Sequence, residues 1–188
     1  FPCYFQYLQL QLYSEKKVNS GGKKLLGINP GASYGSAKRW YPKEFASVAI
    51  DLSSDYDMIL FGGPEEKEIT KDIENYLTDN DISNYQNLAG SLNISELIHH
   101  ISNLDLFITG DSGPMHIAAS YQIPTVSIFG PTRDNETSQW LNQKSIIVKK
   151  NLDCQPCMKR VCPLKHHNCM KLIKAKDILI EVQSLNYL

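Results

Sequence analysis

Between Gly27 and Trp40 the chain runs GINPGASYGSAKRW, a set of residue types suited to holding an anion. Gly31 and Gly35 permit close approach of the backbone to a ligand. Ser33 and Ser36 offer hydroxyls, and Lys38 brings a flexible point charge suited to phosphate. A helix starting near Pro42 would add first-turn N–H groups and the positive end of its dipole. Two known phosphate motifs do not fit. A Walker A loop needs G-x4-G-K-[ST], whereas Gly31 and Gly35 enclose three residues and no Ser or Thr follows Lys38. The G-x-G-x-x-G dinucleotide fingerprint is not met either. On composition alone, a plain strand–helix connection with a solvent-facing Lys38 fits the stretch equally well.

A second stretch, ITGDSGPMHIAAS from Ile108 to Ser120, is more informative. An apolar run leads into Asp111-Ser112-Gly113, and Pro114 then falls in a first helical turn, where its missing N–H costs nothing. Asp111 or Ser112 is expected to cap that helix. First-turn amides, including that of Gly113, would face the strand-end crevice and suit a diphosphate. His116, one turn on, would donate to a phosphate or sugar oxygen. Taken singly, Asp111 and Ser112 need be no more than caps, and His116 no more than a surface histidine. Two anion-ready loops on one edge favour a nucleotide-diphosphate site.

Both loops need a scaffold that brings them to the same edge. Short apolar runs at 24–29, 57–62, 85–90, 105–110, 124–130 and 145–150 have strand character. Helical patterns fall at 42–54, 64–79, 95–103, 113–122 and 175–185, and in the second of these Ile69, Ile73 and Leu77 form an apolar stripe. This alternation predicts a doubly wound, Rossmann-like α/β domain with a mostly parallel sheet. In such sheets ligands bind at the carboxyl ends of the strands. Residues 1–22 are expected to be an entry segment or linker, and residues 23–188 one nucleotide-binding unit.

The bulk properties agree with one soluble domain. The chain has 188 residues, 42% hydrophobic and 21% charged, with a net charge of −1 that gives no global pull toward nucleic acid or membrane. No apolar run approaches the ~18 residues of a membrane span. The first residues lack a signal-peptide pattern and an initiator Met, which suggests a processed chain or a piece of a larger one.

Together NPGASYGSAKRW, FGGPEE (61–66), TGDSGPMHIAAS and FGPT (129–132) resemble the carboxyl-terminal half of the ADP-heptose:lipopolysaccharide heptosyltransferases, glycosyltransferase family 9. The resemblance runs from about Lys23 to Leu185 and implies one half of a GT-B enzyme, two Rossmann-like domains facing across a cleft. It implies a cytoplasmic enzyme, at the inner face of the inner membrane, that moves heptose from ADP-heptose to a lipopolysaccharide core precursor without a cofactor. Carried over by position, Ser33 and Lys38 would hold phosphate. Glu65 would face the ribose or sugar, and Leu92 would present backbone to adenine. Asp111, Ser112, Gly113 and His116 would surround the diphosphate and heptose. Tyr34 stands where some members carry a Thr, and Tyr41 separates Trp40 from Pro42. The family's proposed base is an Asp of the amino-terminal domain, so the chain is expected to bind donor without turning it over.

Cys154, Cys157, Cys162 and Cys169 crowd into sixteen residues with His166 and His167 among them. Spacing alone allows a structural zinc site, disulfides, or reduced structural thiols. Residues 149–176 also hold eight of the nineteen Lys and Arg, with Asp153 as their one acid. That stretch is either a solvated face or one attracted to an anionic lipopolysaccharide core or membrane. The alternative function built on these features is a zinc-stabilised nucleic-acid-binding module. The near-neutral charge and missing recognition pattern weigh against it, and hence against a nucleic-acid partner.

Overall fold

A computed structural model describes residues 22–185. All but the last residue of the expected entry segment, and Cys3 with it, therefore lie outside the described residues. Six strands form one sheet: β1 (Lys24–Asn29), β2 (Tyr56–Leu60), β3 (Tyr85–Asn87), β4 (Leu106–Gly110), β5 (Thr125–Ile128) and β6 (Ser145–Val148). Their order is β3-β2-β1-β4-β5-β6, and all five pairings are parallel. The chain winds outward from β1 to β3, crosses back to lay β4 beside β1, and winds outward again. The sequence expectation of a doubly wound, Rossmann-like sheet is borne out.

Both faces of the sheet are covered, so successive strand residues enter two different cores. Leu26, Ile28, Met58, Leu60, Leu106, Ile108, Val126 and Ile128 point into one core. That core also takes Phe45 and Val48 of α1 (Pro42–Leu52), Ile73 and Leu77 of α2 (Lys67–Asp79), and Ile178 and Val182 of α7 (Ala175–Leu185). Ile59, Phe61 and Phe107 point the other way, to Ile101 of α3 (Ile94–Ser102) and Ala118 of α4 (Gly113–Ser120). Ile73 and Leu77, each wholly buried, contribute about 2 kcal/mol apiece by leaving water. The period-four stripe on α2 is thus a core face.

Helix boundaries follow local chemistry. Asn93 and Glu96 form a reciprocal capping box at α3: Glu96 N–H donates to Asn93 Oδ1 at 3.0 Å, and Asn93 N–H to Glu96 Oε2 at 2.8 Å. Pro42 opens α1, so Tyr41 between Trp40 and Pro42 leaves the proline in the first turn. Short elements that periodicity does not reveal are α5 (Asp134–Thr137), α6 (Asn168–Lys171) and 3-10 turns at Ser36–Lys38 and Pro64–Glu66. The amino end of α7 is tied to α1: Glu44 accepts from Ala175 N–H at 2.8 Å and from Lys174 Nζ at 2.9 Å.

Candidate functional site

The reversal of winding direction falls between β1 and β4, and the loops leaving these two strands are the two that the sequence singles out. In open α/β sheets this is where a crevice opens. The loops are joined at their roots. Asn29, opposite Thr109 in the ladder, donates its Nδ2–H groups to Thr109 Oγ1 at 3.2 Å and Ser112 Oγ at 3.1 Å. Thr109 Oγ1 and Ser112 Oγ lie 3.2 Å apart, closing a partly buried polar triangle. Asn29 and Thr109 open two of the quoted motifs but gain no role from them, because each closes an apolar run as its last polar residue. The signal available was a polar residue at the last inward positions of two strands.

Further out, Lys38 Nζ lies 2.7 Å from Asp111 Oδ2, with the two side chains only 11% and 6% exposed. The same carboxylate oxygen accepts from Thr132 Oγ1 at 2.6 Å and from Thr137 Oγ1 at 3.4 Å. Neither Asp111 nor Ser112 caps α4 with its side chain: Ser112 occupies the N-cap position, yet makes no cap hydrogen bond. The expectation of side-chain capping is therefore corrected. A buried ammonium demands a counter-charge more strongly than an exposed helix end demands a cap. Pro114 has no N–H and Met115 N–H donates to Ser112 O at 3.2 Å, so the Gly113 amide is the one left to other partners among these three residues, and around Gly113 the space is open.

The cysteine-bearing segment reaches back to the first loop. Tyr34 OH donates to Met158 O at 2.9 Å and Ala37 N–H to Arg160 O at 3.0 Å. His167 Nε2 meets Ala37 O at 2.9 Å. Gly35, at φ +154°, has the Arg160 carbonyl where a side chain would be, so no other residue fits without displacing it. Cys154, Cys157, Cys162 and Cys169 are free thiols, and no group of His, Cys, Asp or Glu among the described residues is arranged to hold a metal ion. Burial first, and then proximity to Cys157, Cys162 and Cys154, pushes the Cys169 thiol up to about 11.

A third loop closes on the same edge. Glu66 accepts from Gly63 N–H at 2.7 Å, and its carboxylate occupies the space where Gly31 lacks a side chain. Lys38 and Asp111 thus form one bonded network with Thr132 and Thr137, and Ser112 a second one with Asn29 and Thr109. Ser33, Glu65 and His116, on the three loops or their following helix, are exposed, and their side chains make no hydrogen bond or ion pair to other described residues. Leu92 packs half-buried against the core under α3 and α4.

The model of glycosyltransferase family 9 (heptosyltransferase) matches residues 4–168. Lipooligosaccharide heptosyltransferase 2 of Campylobacter jejuni serotype O:6 is 47% identical over 170 residues, covering 90% of this chain and 54% of that protein. Lipopolysaccharide heptosyltransferase 2 of Salmonella typhimurium is 29% identical over 88% of this chain and 48% of its own length. Among solved structures, ADP-heptose lipopolysaccharide heptosyltransferase II of Escherichia coli superposes with a TM-score of 0.74 at 26% identity, covering 87% of this chain and 46% of that one. The chain spans about half the length of the curated relatives it matches.

Proposed function

The chain belongs to glycosyltransferase family 9, and from that premise we propose that it is the donor-binding half of a heptosyltransferase that uses ADP-heptose. The observation that carries this reading is the Lys38–Asp111 cluster at the strand-order reversal, with open space around Gly113 at the start of α4. A diphosphate seated there would meet Lys38 and the Ser112–Gly113 amides. Ser33 and His116 are free to reach phosphate and sugar oxygens. Glu65 and Leu92, on the loops after β2 and β3, would face the ribose and the adenine. Matched relatives named as heptosyltransferases point to glycosyl transfer, and none of those named above to nucleic-acid binding.

In the transfer itself, an acceptor hydroxyl oxygen bonds to the anomeric carbon of heptose while the bond from that carbon to the diphosphate oxygen breaks. The acceptor proton passes to a base, assigned here to the other half of the enzyme, and ADP departs with the electron pair. The residues of this chain act on the departing charge. Donors already in place around the diphosphate stabilise it without rearrangement, which is worth a few kcal/mol in such sites.

The acceptor assigned to the whole enzyme is a lipopolysaccharide core precursor, met at the cytoplasmic face of the inner membrane. No helix among the described residues is long and apolar enough to cross a membrane. A peripheral contact is supported by Val161 and Leu164, exposed to 68% and 58% and flanked by Lys159 and Lys165.

Calorimetric titration with ADP-heptose, ADP, UDP and NAD tests the donor assignment. Selective binding of the adenine diphosphates, weakened in Lys38→Ala, is the expected result. Equal binding of UDP or NAD, or no binding of ADP, would overturn it.

A further inference from the structure

We propose that Arg160, carried by the cysteine-bearing segment, is a second cation of the donor site and supplies the charge that Lys38 cannot. The inference rests on the donor-site reading above. Lys38 is already paired: its ammonium is 2.7 Å from a buried carboxylate, so the pair together brings no net charge to a bound diphosphate. Arg39 turns its Nε–H to the Ala32 carbonyl at 3.4 Å. A nucleotide diphosphate entering here needs a further positive group.

Arg160 is placed to be that group. Its guanidinium carbon lies 5.2 Å from the centre of the Tyr34 ring, and Lys38 Nζ lies 4.8 Å from the same centre. The two cations are therefore no farther apart than the sum of these distances. The Arg160 side chain is exposed and makes no hydrogen bond or ion pair with other described residues, so its five N–H donors are free. An aromatic face holds a guanidinium by cation–π attraction while leaving its edge open for a bidentate phosphate contact.

The placement is built into the backbone. The carbonyl of Arg160 accepts from Ala37 within the Ser36–Lys38 turn, Gly35 makes room for that carbonyl, and Tyr34 OH binds the carbonyl of Met158. These contacts fix the Cα of residue 160 against the anion loop whatever its side chain. The half-buried cysteines thereby gain a role: they belong to the segment that carries a ligand-facing arginine.

The test is calorimetric titration of the 188-residue chain with ADP, AMP and adenosine at low and high salt, for the parent, Arg160→Ala and Arg160→Lys. Loss of a charge-assisted contact predicts about a tenfold weaker Kd for ADP in Arg160→Ala, a shallower salt dependence, and unchanged adenosine binding and Tm. Arg160→Lys should recover part of the ADP affinity. Parental ADP affinity in Arg160→Ala would overturn the inference and leave the donor-site reading standing. An equal loss for adenosine, with a lowered Tm, would also overturn it by showing a merely structural role. Failure of the parent itself to bind ADP would sink the donor-site reading first, and this inference with it.

Discussion

Lys38 Nζ and Asp111 Oδ2 meet at 2.7 Å across the mouths of two loops that leave adjacent strands, almost out of contact with water. Breaking one partner of such a pair leaves the other charge buried. Lys38→Met is expected to destabilise the fold by about 3 kcal/mol, moderated by the Thr132 and Thr137 hydroxyls that still donate to Asp111. Adding Asp111→Asn removes the stranded charge, so the double variant should regain most of the stability without regaining ADP affinity. Urea unfolding and calorimetry on the cycle separate the two effects. A double variant as unstable as Lys38→Met would refute the burial argument.

Gly31 is predicted to be as important for position as for flexibility. Alanine there would drive the Glu66 carboxylate from its place and so from the Gly63 N–H, 2.7 Å away. Glu66 is the free end of a flexible side chain, so the fold should tolerate the change at a cost of about 1–2 kcal/mol from the lost charge-assisted hydrogen bond. The larger effect is expected on nucleotide affinity, because the turn bearing Glu65 would shift. Glu66→Gln, which keeps an acceptor for Gly63, should bind nearly as the parent does. Matching affinities for Gly31→Ala and parent would show that this turn is not part of the site.

Much of this was legible in the sequence, for reasons that differ by residue. The sheet was legible because β1, β2 and β4 are apolar on both faces and bounded by Gly, Pro or Asn, as doubly covered strands must be. Lys38 and Asp111 were legible as members of two loops on one edge, but their pairing was not, because it joins positions far apart in the chain. That same pairing displaced the expected cap. Asn29 and Thr109 stood at the head of the quoted motifs but their mutual bonding was not legible, and Arg160 lay in a segment whose cysteines drew attention to metals and disulfides. Local pattern reports the elements; it does not report which charge another element will neutralise.

At α7 the expectation concerns acid. Burial would raise the Asp177 carboxyl, but hydrogen bonds from Lys150 Nζ and Lys174 N–H, with the charges of Lys150 and Lys176, hold it below its ordinary value. A carboxylate lowered in the folded state stabilises it above the unfolded pKa, and that stabilisation is lost as pH falls through the folded value. Asp177→Asn should therefore reduce stability near neutrality and flatten the acid limb of Tm against pH below about 4. An acid limb unchanged by the substitution would assign it to other carboxylates.

Cys169 gives the opposite limb. Its thiol is buried and pushed from an ordinary 9.0 to about 11, first by burial and then by the neighbouring cysteines. Between those values the unfolded chain loses its proton while the folded chain keeps it, so stability should fall as pH rises from about 9 to about 11 and level off above. A shift of this size corresponds to no more than about 2–3 kcal/mol. Cys169→Ala should remove that alkaline slope at the smaller, pH-independent cost of a buried sulfur. The thiolate is also the nucleophile, so at pH 8 iodoacetamide should alkylate Cys154, Cys157 and Cys162 well before Cys169. Mass spectrometry of partly labelled chain reads that order. Early labelling of Cys169 would mean that the segment opens readily, and the arginine it carries could not then be held against Tyr34.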